Sequence, residues 1–345
     1  MANFTEFGND LYTGKRSINI VGRRKLWYLI AAIAILIAVV GPMLRGGFVF
    51  GIEFTGGSEY QVSSPESTSQ DLATDAVATV SDVPARVSVV GNESVRVQTE
   101  QLSSDESAEV RTALAEAYAV PEADVTESFI GPAWGADITG AALRALAVFL
   151  LLAAVVMAIY FRTWKMSVAA LVALLHDLVL TAGIYGISGF EVTPAAVIGF
   201  LTILGYSLYD TVVVFDKIRE NTAEDGTESR RTFAGSVNLA VNQTLVRSIN
   251  TSVVAILPVA SILLIGAILL GAGTLRDIAL ALFIGILVGT YSTIFLAAPI
   301  YAHLREGEDE IRKADARTLA AREKAGDAAP KVATGAARPV TAGER

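Results

Sequence analysis

Positions 26–44 read LWYLIAAIAILIAVVGPML, a run with no charged side chain between Lys25 and Arg45. At 1.5 Å of rise per residue it is long enough to cross a hydrocarbon core of roughly 30 Å as a single helix. The cations ahead of it, Lys15, Arg16, Arg23, Arg24 and Lys25, resemble the basic region of a signal peptide. Its length, and its end in Gly41-Pro42-Met43-Leu44-Arg45 without a small-x-small cleavage pattern, favour an uncleaved anchor.

Working outward, a mostly polar interval follows, and then five more apolar runs: Ala141–Phe161, Met166–Ser188, Val192–Phe215, Thr251–Leu270 and Ile278–Tyr301. Each is near membrane-spanning length. The composition agrees, since 52% of the 345 residues are hydrophobic and the mean hydropathy is +0.50. A soluble domain does not carry that much apolar surface. The net charge of −8 says little as a sum, because the two signs are segregated. Cations flank the first span, Arg162 and Lys165 fill the turn between the second and third, and Lys217, Arg219, Arg230 and Arg231 fill the loop between the fourth and fifth. These segments are expected to be cytoplasmic, with both termini inside, while Glu53, Asp71, Asp75, Glu93, Asp105, Glu106 and Asp124 mark the opposite side.

The pattern changes between Gly57 and Ile130 to that of a small water-soluble domain. Glu59–Val62 reads as a strand, Thr68–Val80 as a helix, Ala85–Val90 and Ser94–Gln98 as strands around a Gly91-Asn92 turn, Asp105–Tyr118 as a helix and Asp124–Phe129 as a strand. That βαββαβ order is the ferredoxin-like arrangement, and it holds no paired catalytic set, so it is expected to be a binding or lever module. The fold class expected is therefore an α-helical polytopic membrane protein of six spans with a small α+β domain on the extracytoplasmic side. Its parts are residues 1–25 (cytoplasmic), 26–44 (first span), 45–137 (external domain), 138–301 (a five-helix bundle) and 302–345. The last stretch is expected to be a disordered cytoplasmic tail, helical in part at most.

Absences narrow the function. Without cysteine there is no disulfide, thiolate nucleophile or thiolate metal site, and the only imidazoles are His176 and His303. No GxxxxGK[ST] phosphate loop is present, so no work is driven by ATP bound to this chain. The expectation is a protein that is not an enzyme, takes no cofactor or metal, and partners lipid and protein but no nucleic acid.

Ionisable groups inside a bilayer are costly, so each is a functional candidate, with structural pairing as the competing explanation. His176-Asp177 lies about eleven residues from the cytoplasmic end of the third span, hence roughly 16 Å deep. Asp210 lies six residues before Asp216-Lys217, about 9 Å inside the inner face. If the segment Asn242–Asn250 is helical, Arg247 enters at a similar depth. Asp210 and Arg247 together suggest a switchable ion pair in which the carboxylate titrates, because guanidinium does not. A permanent salt bridge that fixes helix packing explains the same residues. Asp177 is the better inward group of its pair, with His176 equally readable as a packing residue satisfied by a backbone carbonyl. Gly285-x-x-x-Gly289 permits close helix approach, though such spacing is common in apolar helices. Pro194 and Pro258 are read as a helix start and a kink.

Three motifs carry a family resemblance. Phe50-Gly51-Ile52-Glu53-Phe54-Thr55-Gly56-Gly57 resembles an F-G-[IV]-D-F-[TR]-G-G signature, Leu175-His176-Asp177 resembles L-H-D, and Gly205–Asn221 resembles G-Y-S-[IL]-N-D-T-[IV]-V-[VI]-[FY]-D-[RK]-[IV]-R-E-N. With Asn242–Ser252 and Ile284–Ser292 they identify the chain as similar to the SecF proteins of the SecD/SecF family, in the resistance-nodulation-division superfamily. The resemblance implies half of that superfamily's membrane fold, pairing with SecD, association with the SecYEG channel, and use of the proton motive force to draw a translocating preprotein outward. Protons are the coupling ion it implies. It carries a proton role to Asp210 and Arg247 and, less directly, to Asp177 and His176. Gly51, Glu53, Phe54, Gly56, Gly57, Tyr206, Ser207 and Thr211 are its motif positions. Two departures stand out: Glu53 replaces the usual Asp, and Tyr209 replaces the Asn that commonly precedes the key Asp. Three other readings use the same residues: a passive assembly subunit, a small-molecule or lipid exporter of the superfamily, and an intramembrane aspartyl protease, for which a G-x-G-D motif is missing.

Overall fold

The computed structural model describes residues 2–91, 94–224, 231–269 and 273–324. Among the described residues, six helices are long and apolar enough to cross a membrane. The first is Arg24–Arg45, the second Pro132–Phe161, the third Trp164–Ser188 and the fourth Pro194–Glu224. The fifth, Phe233–Ser261, continues as a π-helical stretch, Ile262–Leu269. The sixth runs through Gly273–Ser292, a π-helical Thr293–Ala297 and Ala298–Glu306.

The helices outrun the apolar runs. Hydropathy marks where lipid begins, whereas a helix stops only where capping or chain geometry ends it. The second span thus starts at Pro132, whose fixed φ and missing N–H suit the first helical position, and not near 138. Pro194 likewise opens the fourth span, which continues through Asp216, Lys217 and Arg219.

Between the first two spans lie β1 (Val49–Phe50), a one-turn helix Ile52–Thr55, then β2 (Gly57–Ser63), helix Gln70–Ala78, β3 (Arg86–Val90), β4 (Ser94–Thr99), helix Ser104–Ala117 and β5 (Val125–Ile130). From β2 to β5 the strands form one antiparallel sheet in the order β3-β4-β2-β5, the ferredoxin-like topology read from the sequence. Residues of period two on β2 and β4 (Tyr60, Val62, Val95, Val97) meet Val77, Val110 and Leu114 of the two helices in a fully buried core. A capping box, Ser103 with Glu106, fixes where the second helix starts. Asn92 of the expected turn lies outside the described residues.

One more strand, β6 (Glu191–Val192), lies between the third and fourth spans and pairs in parallel with β1. The inserted domain is thereby tied to the helix bundle as well as to its own two chain connections.

Both ends of the described chain carry helices that the hydropathy pattern does not mark. The N-terminal segment forms a helix, Ala2–Tyr12, and then a 3-10 turn, Val21–Arg23. Residues 302–324 are not a disordered tail: they belong to the end of the sixth helix and to a further helix, Asp309–Lys324, whose Asp315 accepts the backbone N–H of Phe233 at 2.7 Å. Low apolar content hid an element held by polar contacts, among them Lys165 Nζ to Glu308 at 2.8 Å. Residues 325–345 lie outside the described part.

Candidate functional site

The third, fourth, fifth and sixth spans meet around buried carboxylates and hydroxyls. Asp177 is 2% exposed. Its Oδ2 accepts from Ser207 of the fourth span at 2.6 Å and from Ser292 of the sixth at 2.8 Å, while its Oδ1 lies 3.2 Å from His176 Nδ1. Three elements therefore share one carboxylate. Close approach is possible because position 289 lacks a side chain: a Cβ there would sit 3.1 Å from Ser207 Cβ and Oγ. Gly285 does the same against Ile203, so the small-residue spacing is where the sixth span packs on the fourth.

One turn after Ser207, Thr211 shares a hydrogen bond with Thr293 at 3.0 Å. Asp210 is 6% exposed, and its Oδ1 accepts from Ser248 of the fifth span at 3.0 Å. Its Oδ2 is buried and has no hydrogen-bond partner among the described residues. The network continues through Ser252 Oγ, which bonds the Ser248 carbonyl and Thr290 Oγ1 at 2.9 and 2.6 Å.

The sequence-derived residues thus fall into two groups. Asp177, His176, Ser207, Asp210 and Thr211 converge. Arg247 does not join them: it is exposed and forms no ion pair with Asp210, whose partner is its neighbour Ser248. Tyr209 is 57% exposed and points away from the network, while Tyr206 is partly buried. Ser248, Ser252, Thr290, Ser292 and Thr293 were not singled out. The available signal was a cluster of small hydroxyl residues at one-turn spacing in apolar helices, since these lower the cost of a nearby buried charge.

The Phe50–Gly57 motif lies elsewhere, at the joint between domain and bundle. Gly51 donates its N–H to Val192 O at 3.0 Å. Gly56 and Gly57 have φ of +76° and +137°, and a Cβ on Gly57 would collide with the Thr99 carbonyl. Phe54 offers its carbonyl so close to Gly135 that no side chain fits there. Glu53 stands near Glu59, Arg96 and Glu191, with its Oε2 buried and unpartnered, and burial followed by the neighbouring carboxylates pushes its pKa up. Arg96 sits 3.6 Å from Glu59 and 3.5 Å from Glu191, and Gln98 donates to both glutamates at 2.9 and 2.7 Å.

An inserted ferredoxin-like domain on a six-span bundle with a sealed carboxylate–hydroxyl network defines a polytopic membrane protein whose polar machinery lies within the bilayer. The chain belongs to the SecD/SecF family: the model "Protein export membrane protein SecD/SecF, C-terminal" matches residues 110–307, more than half of its length. It is 42% identical to the protein translocase subunit SecF of Mycobacterium tuberculosis over 98% of this chain and 79% of that one. The SecF of Streptomyces coelicolor is also 42% identical, over 93% and 86%. Among solved structures it resembles the crystal structure of SecDF, a translocon-associated membrane protein from Thermus thermophilus, with a TM-score of 0.71 and 30% identity over 84% of this chain. This chain spans 39% of that one. Its role is in protein translocation across a membrane.

Proposed function

We propose that the chain is a SecF-type subunit that pairs with SecD, works beside the SecYEG channel, and uses the proton motive force to help move a preprotein outward. In this reading both termini are cytoplasmic, which the cation distribution supports, and the ferredoxin-like domain faces out. The observation that carries it is Asp210: a carboxylate sealed between membrane helices, held through one oxygen and free at the other. A purely structural carboxylate in lipid would have both oxygens satisfied, whereas one that takes up and gives up a proton needs an open position.

Arg247 supports the partner assignment. An exposed guanidinium at membrane depth is expensive against hydrocarbon, which favours a partner helix over that face of the fifth span, with Tyr209 beside it on the fourth. A modest rotation of the fifth helix would exchange Ser248 for Arg247 opposite Asp210, because adjacent residues differ by about 100° around a helix.

The test is Asp210→Asn, measured as gradient-dependent export of a secreted precursor in cells depleted of the chain and complemented at equal membrane levels. Loss of gradient-dependent stimulation with membrane insertion and partner association intact is expected. Full rescue would return the chain to a passive assembly role.

A further inference from the structure

A cleft of about 710 Å³ opens where the inserted domain meets the end of the first span. One wall carries Phe48 and Phe50, which follow that span; the other carries Arg86 at the start of β3 and Gln98, Glu100 and Gln101 at the end of β4. Phe48 and Phe50 are 42% and 45% exposed, and their ring centroids lie 6.2 Å apart. Two neighbouring phenyl rings left open form an apolar landing place for a side chain that would otherwise face water. Gly46 and Gly47 before them have φ of +100° and +107°, with nothing within 4 Å of either Cβ position, so this aromatic wall has room to shift.

The polar wall is neutral as a set. Its charges among the described residues are Arg86 and Glu100, and Gln98 and Gln101 add side-chain amides. Arg86 reaches across the cleft to donate to the Phe50 carbonyl at 3.3 Å. The cleft ends at Pro84–Arg86, where β3 begins, and β3 is the outer strand of its sheet, paired among the described residues with β4 alone. Its other edge therefore offers backbone N–H and C=O groups to an added strand. Aromatic rings, balanced polar groups and an open strand edge together suit an extended polypeptide, which brings apolar side chains and a peptide group at every residue. A phospholipid headgroup calls for a net positive charge, which this cleft lacks.

We infer that this cleft holds an extended segment of the translocating preprotein, with an apolar side chain against Phe48 and Phe50 and its main chain along the polar wall toward β3. The inference rests on the outward-facing placement of the domain in the proposed function, and adds where on this chain the preprotein is held. Gln98 also donates to Glu191, in the connection ahead of the fourth span. The holding site and the contact that joins domain to bundle thus share a residue.

The test is site-specific photocrosslinking in cells that carry the full complex and a secretory precursor arrested midway by a tightly folded C-terminal domain. A photoreactive residue replaces Phe50 or Gln101 in the cleft, or Glu109, which is exposed on the domain's second helix. Precursor adducts from positions 50 and 101 and none from 109 are expected. Adducts to lipid or to a partner subunit alone, or equal precursor adducts from all three positions, overturn the inference. With the probe at position 101, Phe48→Ser should lower the precursor adduct roughly fivefold and Phe48→Leu should restore it, which proximity without binding would not give. An unchanged yield in Phe48→Ser also overturns the site. Absence of cleft adducts beside loss of gradient-dependent export in Asp210→Asn removes the site and leaves the proposed function standing. Cleft adducts beside a fully active Asp210→Asn keep the site and remove the proton-driven reading.

Discussion

Arg247 and Ser248 leave one helix axis about 100° apart, so only one of them can face Asp210, and it is Ser248. Depth along the chain brings a residue to the right level of the membrane, yet the helix face decides what it touches. Matching Asp210 with Arg247 by depth found the right pair of helices, and in this structure the hydrogen bond to Asp210 comes from Ser248 while the Arg247 charge reaches it from the next position without an ion pair. The same limit applies at His176-Asp177, where Asp177 reaches the serines and His176 lies against Asp177 and the Tyr291 ring. Ser248→Ala removes the one donor to Asp210 among the described residues and should lower stability in detergent by about 1–3 kcal/mol, read as a drop in thermal midpoint. Gly289→Val places a branched side chain against Ser207, so it should separate the fourth and sixth spans and abolish export at wild-type membrane levels. Retained export there would show that the Asp177–Ser207 contact is dispensable. Glu53 gives a pH prediction outside the membrane. Its raised pKa means that the folded joint favours the protonated acid, so this contribution to stability is full at acid pH and is lost as pH rises through the shifted value. Glu53→Gln should flatten that dependence, measured by hydrogen exchange at residues 52–55 across acid to neutral pH.

Elements were legible where one physical period dominated. Six apolar runs of bilayer length gave the spans, and the alternation in Tyr60, Val62, Val95 and Val97 together with two amphipathic helices gave the sheet topology. Elements held by polar contacts were not legible, because nothing in a hydropathy pattern marks a hydrogen bond between residues two hundred positions apart. The start of the fifth helix is the clearest case. Asn242, read only as a lead into that span, accepts the Ile18 N–H at 2.7 Å and donates to the Ile18 carbonyl at 2.9 Å. Asn238 accepts from Ile20 and Val21 at 2.9 and 3.0 Å, and Gln243 donates to the Tyr12 carbonyl. Three amides on one helix thus hold the irregular stretch that leads into the first span. Asn242→Ala removes the acceptor of the Ile18 N–H, while the Ile18 carbonyl keeps the Asn238 amide at 3.1 Å, and should cost about 1 kcal/mol, seen first as faster proteolysis between residues 12 and 20 and not as loss of the bundle.

At the scale of the whole molecule, the proposed function needs membrane chemistry to move an external domain, and the joint between them has the composition of a switchable contact. Three glutamates, Glu53, Glu59 and Glu191, cluster there, and the last two share one arginine, Arg96, and one amide, Gln98. Glu59, Arg96 and Gln98 belong to the sheet, while Glu191 belongs to the connection between the third and fourth spans, directly ahead of the helix that carries Ser207, Asp210 and Thr211. A tilt of the fourth span at its Pro194 end therefore moves Glu191 relative to Arg96 and Gln98. Partly buried ion pairs of this kind are geometry-sensitive, so a small shift is enough to release the domain. If the domain works as a lever, fixing this contact must stop export without touching the buried network. In the cysteine-free chain, Gln98→Cys with Glu191→Cys, joined by a short cleavable thiol crosslinker, should leave translocation at the level seen without a proton gradient, and cleavage of the linker should restore the gradient-dependent part. The single cysteine variants, treated identically, control for the loss of each side chain. Undiminished export in the crosslinked protein would mean that the domain stays fixed on the bundle throughout the cycle, and that work on the preprotein is done by another surface of the complex.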